Sequence, residues 1–182
     1  MPAKPCEPGC GCGLHSSLSV EERFWLKVER SGPISSLDGT HCWLWTSTTA
    51  GQGGYGSFKL DRRYRYAHRV SYELSTGSPV PDDRQIDHRA TCPKICVNPA
   101  HLRLATQKQQ QENLPGALRN SMTGVRGVIW ERARGKYRAT VGHNGRTIYV
   151  GRFDTIAEAE AAVIAKRNEL FTHNDLDRMR IA

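Results

Sequence analysis

Apolar residues recur with helical spacing in some stretches of the chain and alternate with polar residues in others. Val20, Phe24 and Val28 lie about one helical turn apart behind a capping Ser19, and they predict a helix that ends near Arg30. A helix is also predicted at 67–75, ending at Gly77, and the capping box of Thr106 and Gln109 predicts another at 107–114. Alternation predicts strands at 42–46, 55–60, 85–88 and 102–105, with a basic, aromatic turn at 61–66.

The last third of the chain has a pattern that predicts a small sheet followed by a helix. Strands are predicted at 124–131, 136–143 and 146–151, and Asn144-Gly145 is a strong signal for a two-residue hairpin. Alternation turns one set of side chains toward the helix that begins after Thr155: Tyr137, Ala139, Val141, Ile148 and Val150. It turns another set outward: Arg138, Thr140, Thr147 and Tyr149.

These elements predict an α+β chain with two domains. The first domain spans 19–113, and the second spans 124–172, where three antiparallel strands pack on one helix. A cysteine-rich segment at 1–18 precedes them, 114–123 has the composition of a linker, and 173–182 is expected to be a frayed tail.

The chain has a formal net charge of +8, which indicates an acidic partner, most simply nucleic acid. No apolar run approaches the roughly 18 residues that a membrane helix needs. The N-terminal residues lack the apolar core of a signal peptide. We therefore expect a cytoplasmic protein with no membrane partner. The sequence leaves the oligomeric state open, and a monomer is the expectation.

Six cysteines in a chain without an export signal indicate metal ligation before disulfides. Three of them form a first set with a histidine: Cys6, Cys10, Cys12 and His15. The others form a second set: Cys42, Cys92, Cys96 and His101. Each set has the three sulfurs and one nitrogen of a structural zinc site. Free thiols are the alternative, in a disordered tail for the first set and in a buried loop for the second.

Asp87 and His88 stand side by side at the end of the predicted strand 85–88. A carboxylate suits Mg²⁺ or Mn²⁺, and histidine titrates near neutral pH and can deprotonate a water. A cation that holds a phosphate beside such a base provides what phosphodiester hydrolysis needs. For these two residues taken alone, an ordinary hydrogen-bonded strand end is the alternative.

The segment 86–113, with DH, CVNPAHLRLAT and QEN, resembles the HNH endonucleases, or ββα-metal nucleases, in the form common in phage genomes. The resemblance extends upstream through FWLKV, CWLW, GYGSF and AHRVSYEL, and so covers about 19–113. It implies that Asp87 is a ligand of a catalytic Mg²⁺ or Mn²⁺ and that His88 is the general base.

Two registers of the HNH motif are open for the other site residues. The literal register uses His88, Asn98 and His101, which makes Asn98 and His101 catalytic. In the structural register His101 lies just before the second strand, and Gln110 is the metal ligand on the helix. We prefer the structural register, because a ligand at His101 would precede the second strand instead of lying on the helix. The family usually has Asn or His at the helix position, and Asn113, one turn on, is the substitute for Gln110.

The segment from GVRGVIWERARGKYRATV to AEAEAAV, within about 121–172, resembles the AP2 DNA-binding domain. The resemblance implies a sheet face that enters the major groove of double-stranded DNA. From Gly124 to Arg152 the segment holds seven basic residues and one acid, Glu131. The predicted DNA-contacting residues are Arg126, Arg132, Arg134, Lys136, Arg138, Thr140, Thr147, Tyr149 and Arg152. A solvated basic sheet is the alternative.

Together these resemblances predict a metal-dependent DNA endonuclease of phage or homing type, with a C-terminal module that locates the cleavage site. A phage-encoded enzyme would act in the host cell cytoplasm. A DNA-binding regulator with a decayed nuclease site is the alternative, because Gln110 is an unusual helix ligand. An RNA-binding zinc protein is a third alternative, and the groove-reading sheet argues against it.

Overall fold

The computed structural model describes residues 18–89, 92–114, 116–117 and 119–180, so the predicted set at Cys6, Cys10, Cys12 and His15 lies outside the described residues. The helices are α1 Val20–Trp25, α2 Ala67–Thr76, α3 Gln107–Glu112, α4 Ile156–Leu170 and α5 Asp175–Met179. The strands are β1 Val28–Glu29, β2 Leu44–Trp45, β3 Thr49–Ala50, β4 Tyr55–Leu60, β5 Arg63–Tyr66, β6 Gln85–His88, β7 Leu102–Ala105, β8 Val128–Glu131, β9 Lys136–His143 and β10 Arg146–Phe153. None of the helices in these described segments is long and apolar enough to cross a membrane.

The chain divides into two compact units. The first contains the described residues up to Ser35, together with Gly39–Val80 and Cys92–Arg103. The second contains Ser36–Asp38 and the described residues of Pro81–Thr91 and Leu104–Ala182. Strand β6 and helix α3 therefore belong to the same unit as the C-terminal sheet.

Aromatic rings form the core of the first unit. The Phe24 ring on α1 is fully buried, and its centroid lies 5.1 Å from that of Trp45 and 5.2 Å from that of Phe58. Strands β3, β4 and β5 form an antiparallel sheet, and α2 packs on β4. A Cβ atom at Gly56 would meet the Trp45 ring at 2.6 Å, so the glycine lets this ring contact the backbone of β4.

The second unit contains strand β6, the end of β7 and the C-terminal sheet. Strands β6 and β7 pair, and α3 follows behind Thr106, whose Oγ1 accepts a hydrogen bond from the Gln109 backbone N–H at 3.2 Å. Farther along, β9 lies between β10 and β8, and α4 covers one face of that sheet. The buried residues of this core are Val128, Ala139, Val141, Ala159, Val163 and Phe171, with Tyr137 and Val150 packed against them.

The alternation of β9 and the turn that follows it are confirmed. Ala139 and Val141 are buried on the helix side, as predicted. Asn144 and Gly145 have φ values of 49° and 71° and form the two-residue turn between β9 and β10. The strands predicted at 55–60, 85–88, 102–105 and 136–143 are also confirmed in their bounds.

Two predictions in the first unit are wrong at their ends. Helix α1 stops at Trp25 instead of near Arg30, because Val28 pairs with Trp45 as a strand. In the segment predicted as a turn at 61–66, only Asp61 and Arg62 have turn geometry, with φ of 48° and 65°. The rest of that segment is strand β5, which pairs with β4.

Two predictions in the second unit also need correction. The strand predicted at 124–131 begins only at Val128, because Gly124 and Gly127 have φ of 66° and 86°, outside the extended conformation. The segment predicted as a frayed tail contains α5, which packs on α4. Arg167 of α4 donates two hydrogen bonds to the Asp177 carboxylate, at 2.6 and 3.0 Å, and the two side chains are only 6% and 11% exposed.

We therefore predict that Asp177→Ala destabilises the second unit by about 3–5 kcal/mol, because it leaves the Arg167 guanidinium buried without its counter-charge. Chemical denaturation followed by circular dichroism measures the free energy of unfolding. The matched control is Glu160→Ala, which breaks an ion pair with Arg180 that is 58% exposed on the arginine side and should cost about 0–1 kcal/mol. Equal small losses in both variants would contradict a structural role for α5.

Candidate active site and metal centre

The end of β6 and the end of α3 bring three polar side chains together. Asp87 and His88 are both half-buried, and Asn113 caps the C-terminus of α3. The Asn113 Nδ2 atom donates to Asp87 Oδ2 at 2.9 Å and to the His88 carbonyl oxygen at 3.1 Å. The predicted pair at Asp87 and His88 thus lies against the helix, as the ββα arrangement requires.

The Asn113 amide also has a polar atom without a partner among the described residues. Its Oδ1 atom is buried and accepts no hydrogen bond there. An amide rotated by 180° would direct this oxygen at Asp87, and the two orientations fill the same space. In the rotated amide the oxygen would take the place of Nδ2, which lies 2.9 Å from Asp87 Oδ2. Adjacent ligands of an octahedral Mg²⁺ are about 3 Å apart, since Mg–O distances are about 2.1 Å. The donor set of one carboxylate and one amide therefore fits a hard divalent cation.

The helix residue against Asp87 differs from the one expected from the sequence. The structure places the side chain of Asn113 there, whereas the preferred register led us to expect Gln110. Asn113 lies just past the last residue of α3, where the backbone turns out of the helix. A residue at the end of a short helix can reach back to the strand, and sequence spacing alone does not specify this reach.

The second cysteine set comes together in the first unit. One ligand atom from each of Cys42, Cys92, Cys96 and His101 lies within 4.8 Å of the others. The Cys42 and Cys92 sulfurs are 3.7 Å apart, and the Cys96 sulfur is 3.6 Å from His101 Nδ1. Tetrahedral zinc with Zn–S bonds of about 2.3 Å requires sulfurs about 3.8 Å apart, so these residues fit a zinc ion.

Hydrogen bonds favour the metal-binding forms of Cys96 and His101 in this cluster. A hydrogen bond from Cys92 lowers the pKa of Cys96 to about 5, against the opposing effect of burial, and the same bond raises the pKa of Cys92. The thiolate is the form that binds metal. His101 is fully buried, and its Nε2 atom lies 2.7 Å from Thr40 Oγ1. A proton on Nε2 donates to Thr40 and leaves Nδ1 as the ligand atom.

Asn98 and His101, catalytic in the literal register, have structural surroundings. Asn98 is 5% exposed, its Oδ1 accepts from the Ala100 backbone N–H at 3.1 Å, and its Nδ2 donates to the His41 carbonyl at 2.8 Å. His101 lies in the cysteine cluster. Both side chains are thus engaged with the cluster and its loop, and their catalytic assignment in the literal register stays a prediction.

Glu112 and Arg126 join α3 to the C-terminal module. The Glu112 carboxylate is 4% exposed, pairs with Lys108 at 2.7 Å and accepts from the Thr172 backbone N–H at 3.1 Å. Burial raises the pKa of Glu112, but these hydrogen bonds outweigh it, so the net pKa is lowered and the residue is charged. Arg126 donates to the carbonyls of Gln111, Glu112 and Leu114, at 2.7, 3.0 and 3.2 Å.

Arg126 was predicted to contact DNA. In the structure its guanidinium bonds to the carbonyls at the C-terminus of α3, and its DNA contact stays a prediction. The other predicted residues are more favourably placed. Arg138 is paired in the sheet with Ile129 and Arg152, on the face opposite α4. Lys136, Thr140, Thr147 and Tyr149 share this face by alternation, and Arg132 and Arg134 lie in the turn between β8 and β9. Arg152 pairs with Glu131.

Sequence reasoning missed Glu112 and Thr40. Glu112 is adjacent to the Asn113 of the QEN motif, but a glutamate on a polar helix has the usual appearance of a solvated residue. Thr40 is 61 residues from His101, and no local pattern connects them. Only the folded chain shows either contact.

Comparison with known proteins gives one match. Residues 65–112 match a family model described as HNH endonuclease. This segment is roughly a quarter of the chain and contains Asp87, His88, the three loop ligands of the cysteine cluster and Glu112. No curated protein and no solved structure matches the chain. The family match places an HNH endonuclease domain at residues 65–112 and supports a nuclease enzyme.

Proposed function

We propose that the protein is a metal-dependent endonuclease that hydrolyses phosphodiester bonds in double-stranded DNA. This proposal rests on the contact between Asp87 and Asn113, which lies beside His88. Asp87 and His88 fall within the segment 65–112 that matches the HNH endonuclease model. A bound Mg²⁺ or Mn²⁺ would polarise the phosphate and stabilise the charge on the leaving oxygen. The net charge of +8 supports a polyanionic substrate.

Three residues of the chain have distinct roles in the proposed reaction. Asp87 and Asn113 hold the cation through their side-chain oxygens. His88 accepts a proton from the attacking water. In the amide orientation of the structure, Asn113 Nδ2 donates to the His88 carbonyl, and this bond would be given up when the amide oxygen turns toward the cation. Asn113 thus takes the place that the sequence suggested for Gln110. With an asparagine in that position, the argument for a decayed nuclease loses its main support.

We further propose that the C-terminal sheet locates the cleavage site. Arg138 places a positive charge at the centre of the open face, because it lies on the middle strand. Its Nε atom is buried without a hydrogen bond among the described residues. The contacts of Glu112 and Arg126 hold α3 against this module. Base contacts made by the sheet would therefore determine which phosphate reaches Asp87.

Structural zinc in the second cysteine set is the third part of the proposal. The loop that carries Cys92, Cys96 and His101 connects to Cys42 through the cluster, and the sulfur and nitrogen distances fit zinc. Two hard oxygens at Asp87 and Asn113 and three thiols at the cluster select different metals. The protein would thus hold a catalytic and a structural cation at separate sites.

Replacing the proposed base tests the nuclease assignment. His88→Ala should lower the rate of supercoiled-plasmid cleavage in Mg²⁺ by about 10²- to 10⁴-fold, because the water loses its general base. Affinity for uncleaved DNA should be unchanged, which a gel-shift assay measures. His41→Ala, an exposed histidine, serves as the control. A His88→Ala chain that cuts at the parent rate would sink the assignment.

Asn113 and Gln110 form a matched pair on α3. Asn113→Ala should raise the Mg²⁺ concentration for half-maximal cleavage by more than the roughly 10- to 100-fold typical of an outer-shell partner, because an oxygen ligand is lost. Gln110→Ala should leave this concentration unchanged, and Asn113→Asp should retain binding. The reverse result, with loss in Gln110→Ala alone, would restore the register preferred from the sequence.

Elemental analysis of purified protein should find zinc that depends on the second cysteine set. Cys96→Ser should abolish that zinc and lower the melting temperature, because the loop at 92–101 loses its cross-link. Thr40→Val should keep the zinc but weaken its binding by about 10- to 100-fold, since it removes only the partner of His101. The zinc site would be ruled out if the thiols of Cys42, Cys92 and Cys96 all titrate freely in native, metal-free protein of full stability.

Two arginines of the sheet module should differ in their effect on recognition. Arg138→Ala should relax base preference at one position of the DNA site by about 1–3 kcal/mol. Arg134→Ala, in the turn, should weaken binding evenly across sequences and reduce the salt dependence, because it removes a phosphate contact. Binding selections at two salt concentrations measure both effects. An unchanged sequence preference in Arg138→Ala would contradict base reading by the sheet.

A further inference from the structure

The hairpin of β4 and β5 in the first unit presents two exposed tyrosines on one face. Tyr64 is 69% exposed and Tyr66 is 51% exposed. In the sheet they lie opposite Lys59 and Ser57, while Phe58, on the other face of β4, belongs to the aromatic core. We call the surface formed by Lys59, Tyr64 and Tyr66 the tyrosine face. Large aromatic side chains on open strands are unusual unless they contact a partner.

The surroundings of the tyrosine face are cationic. From Lys59 to Arg69 the chain holds five basic residues and one acid, Asp61. Lys59 Nζ lies 6.0 Å from the centroid of the Tyr64 ring. Arg62 and Arg63 are exposed at the turn and at the start of β5. An anionic partner therefore fits this surface better than an apolar or basic one.

A cleft beside the tyrosines has positioned arginines. It has a volume of about 520 Å³ and is lined by Ala50, Ser57, Tyr64, Arg65, Tyr66 and Arg69. Arg65 donates to the Glu73 carboxylate at 2.6 Å, and Arg69 donates to the Val80 carbonyl at 3.0 Å. These bonds position both arginines, whose side chains remain 34% and 31% exposed, among the residues that line the cleft.

The spacing of the two tyrosines suits a stacked base. Residues two apart in a strand are separated by about 7 Å. This is about twice the 3.4 Å repeat of stacked bases, so the cleft has room for one base between the rings. Tyr66 is also supported from behind, since its ring is stacked on His68 with centroids 5.5 Å apart. A supported ring loses little conformational freedom when a base stacks on it.

We propose that the tyrosine face and its cleft bind unpaired DNA, with bases stacked on Tyr64 and Tyr66 and phosphates at Arg65 and Arg69. Aromatic rings combined with a cationic groove are the means by which proteins bind single strands without sequence preference. In a duplex the base faces are already stacked and the rings have no access to them. The surface is thus a second nucleic-acid site, separate in chemistry from the groove-reading sheet and independent of the catalytic assignment.

Fluorescence anisotropy with the full-length chain in buffer without Mg²⁺ or Mn²⁺ tests this site without cleavage and without relying on the role of His88. The probes are a labelled oligodeoxythymidine and a labelled duplex of the same length. Tyr64→Ala should weaken single-strand binding about 5- to 150-fold, the usual effect of removing one stacked base, and leave duplex binding unchanged. Tyr64→Phe keeps the ring and should bind as the parent does. Tyr66→Leu provides a second variant, and Met122→Ala, 96% exposed in the linker, is the control.

An oligonucleotide with abasic sugars separates base stacking from phosphate attraction. It should bind the parent chain more weakly, and Tyr64→Ala should not weaken it further. Thermal melts of each variant show whether the fold is retained, and Tyr64→Ala should melt as the parent does because Tyr64 is 69% exposed. Equal loss of single-strand and duplex binding, or no loss in any tyrosine variant, would overturn the proposal.

Discussion

Helix α3 has no hydrophobic side chain to bury, and this constraint governs how the catalytic segment is held. Its sequence, QKQQQE, contains no apolar residue, so packing against a core cannot fix its position. The helix is instead fixed by hydrogen bonds at its ends. Thr106 caps its N-terminus, and the buried Glu112 carboxylate and the guanidinium of Arg126 hold its C-terminus. Charge-assisted bonds of this kind are stronger than neutral ones.

The position of Asn113 depends directly on this arrangement. Asn113 follows Glu112, and its amide reaches Asp87 only while the end of α3 stays near β6. Arg126 and Thr172, which bond to the end of α3, come from the segments on either side of the C-terminal sheet, so the sheet module supports the proposed metal ligands. This explains why the compact units join α3 to the module rather than dividing the chain at the predicted linker. A nuclease built this way would keep a fixed distance between the bases it reads and the bond it cuts.

The first unit also contains a segment with few apolar residues, the loop at 92–101, and soft metal ligands fix its position. Its aromatic core around Phe24 covers α1, α2 and the β4–β5 sheet, but the loop at 92–101 contributes only Ile95 and Val97 to it. The cysteine cluster, with Thr40 holding His101, is the contact that ties the rest of this loop to the chain at Cys42. The hairpin beyond the core is left free to present Tyr64 and Tyr66. Because both hydrophobic cores are small, polar contacts hold the end of α3 and the cysteine cluster holds the loop at 92–101.

Local sequence determined the strands at 55–60, 85–88, 102–105 and 136–143, the Asn144-Gly145 turn and the grouping of Cys42 with the loop cysteines. The strands and the turn depend on periodicity and turn chemistry, which neighbouring residues carry, whereas Cys42, 50 residues from Cys92, was grouped with the loop by ligand type alone. Tertiary structure alone decided that Asn113 rather than Gln110 faces Asp87, that Arg126 closes α3, and that the final residues form α5 on Arg167. Each of these depends on which polar groups meet across 10 to 26 residues of chain, where a buried charge takes whichever partner the fold brings within hydrogen-bonding distance.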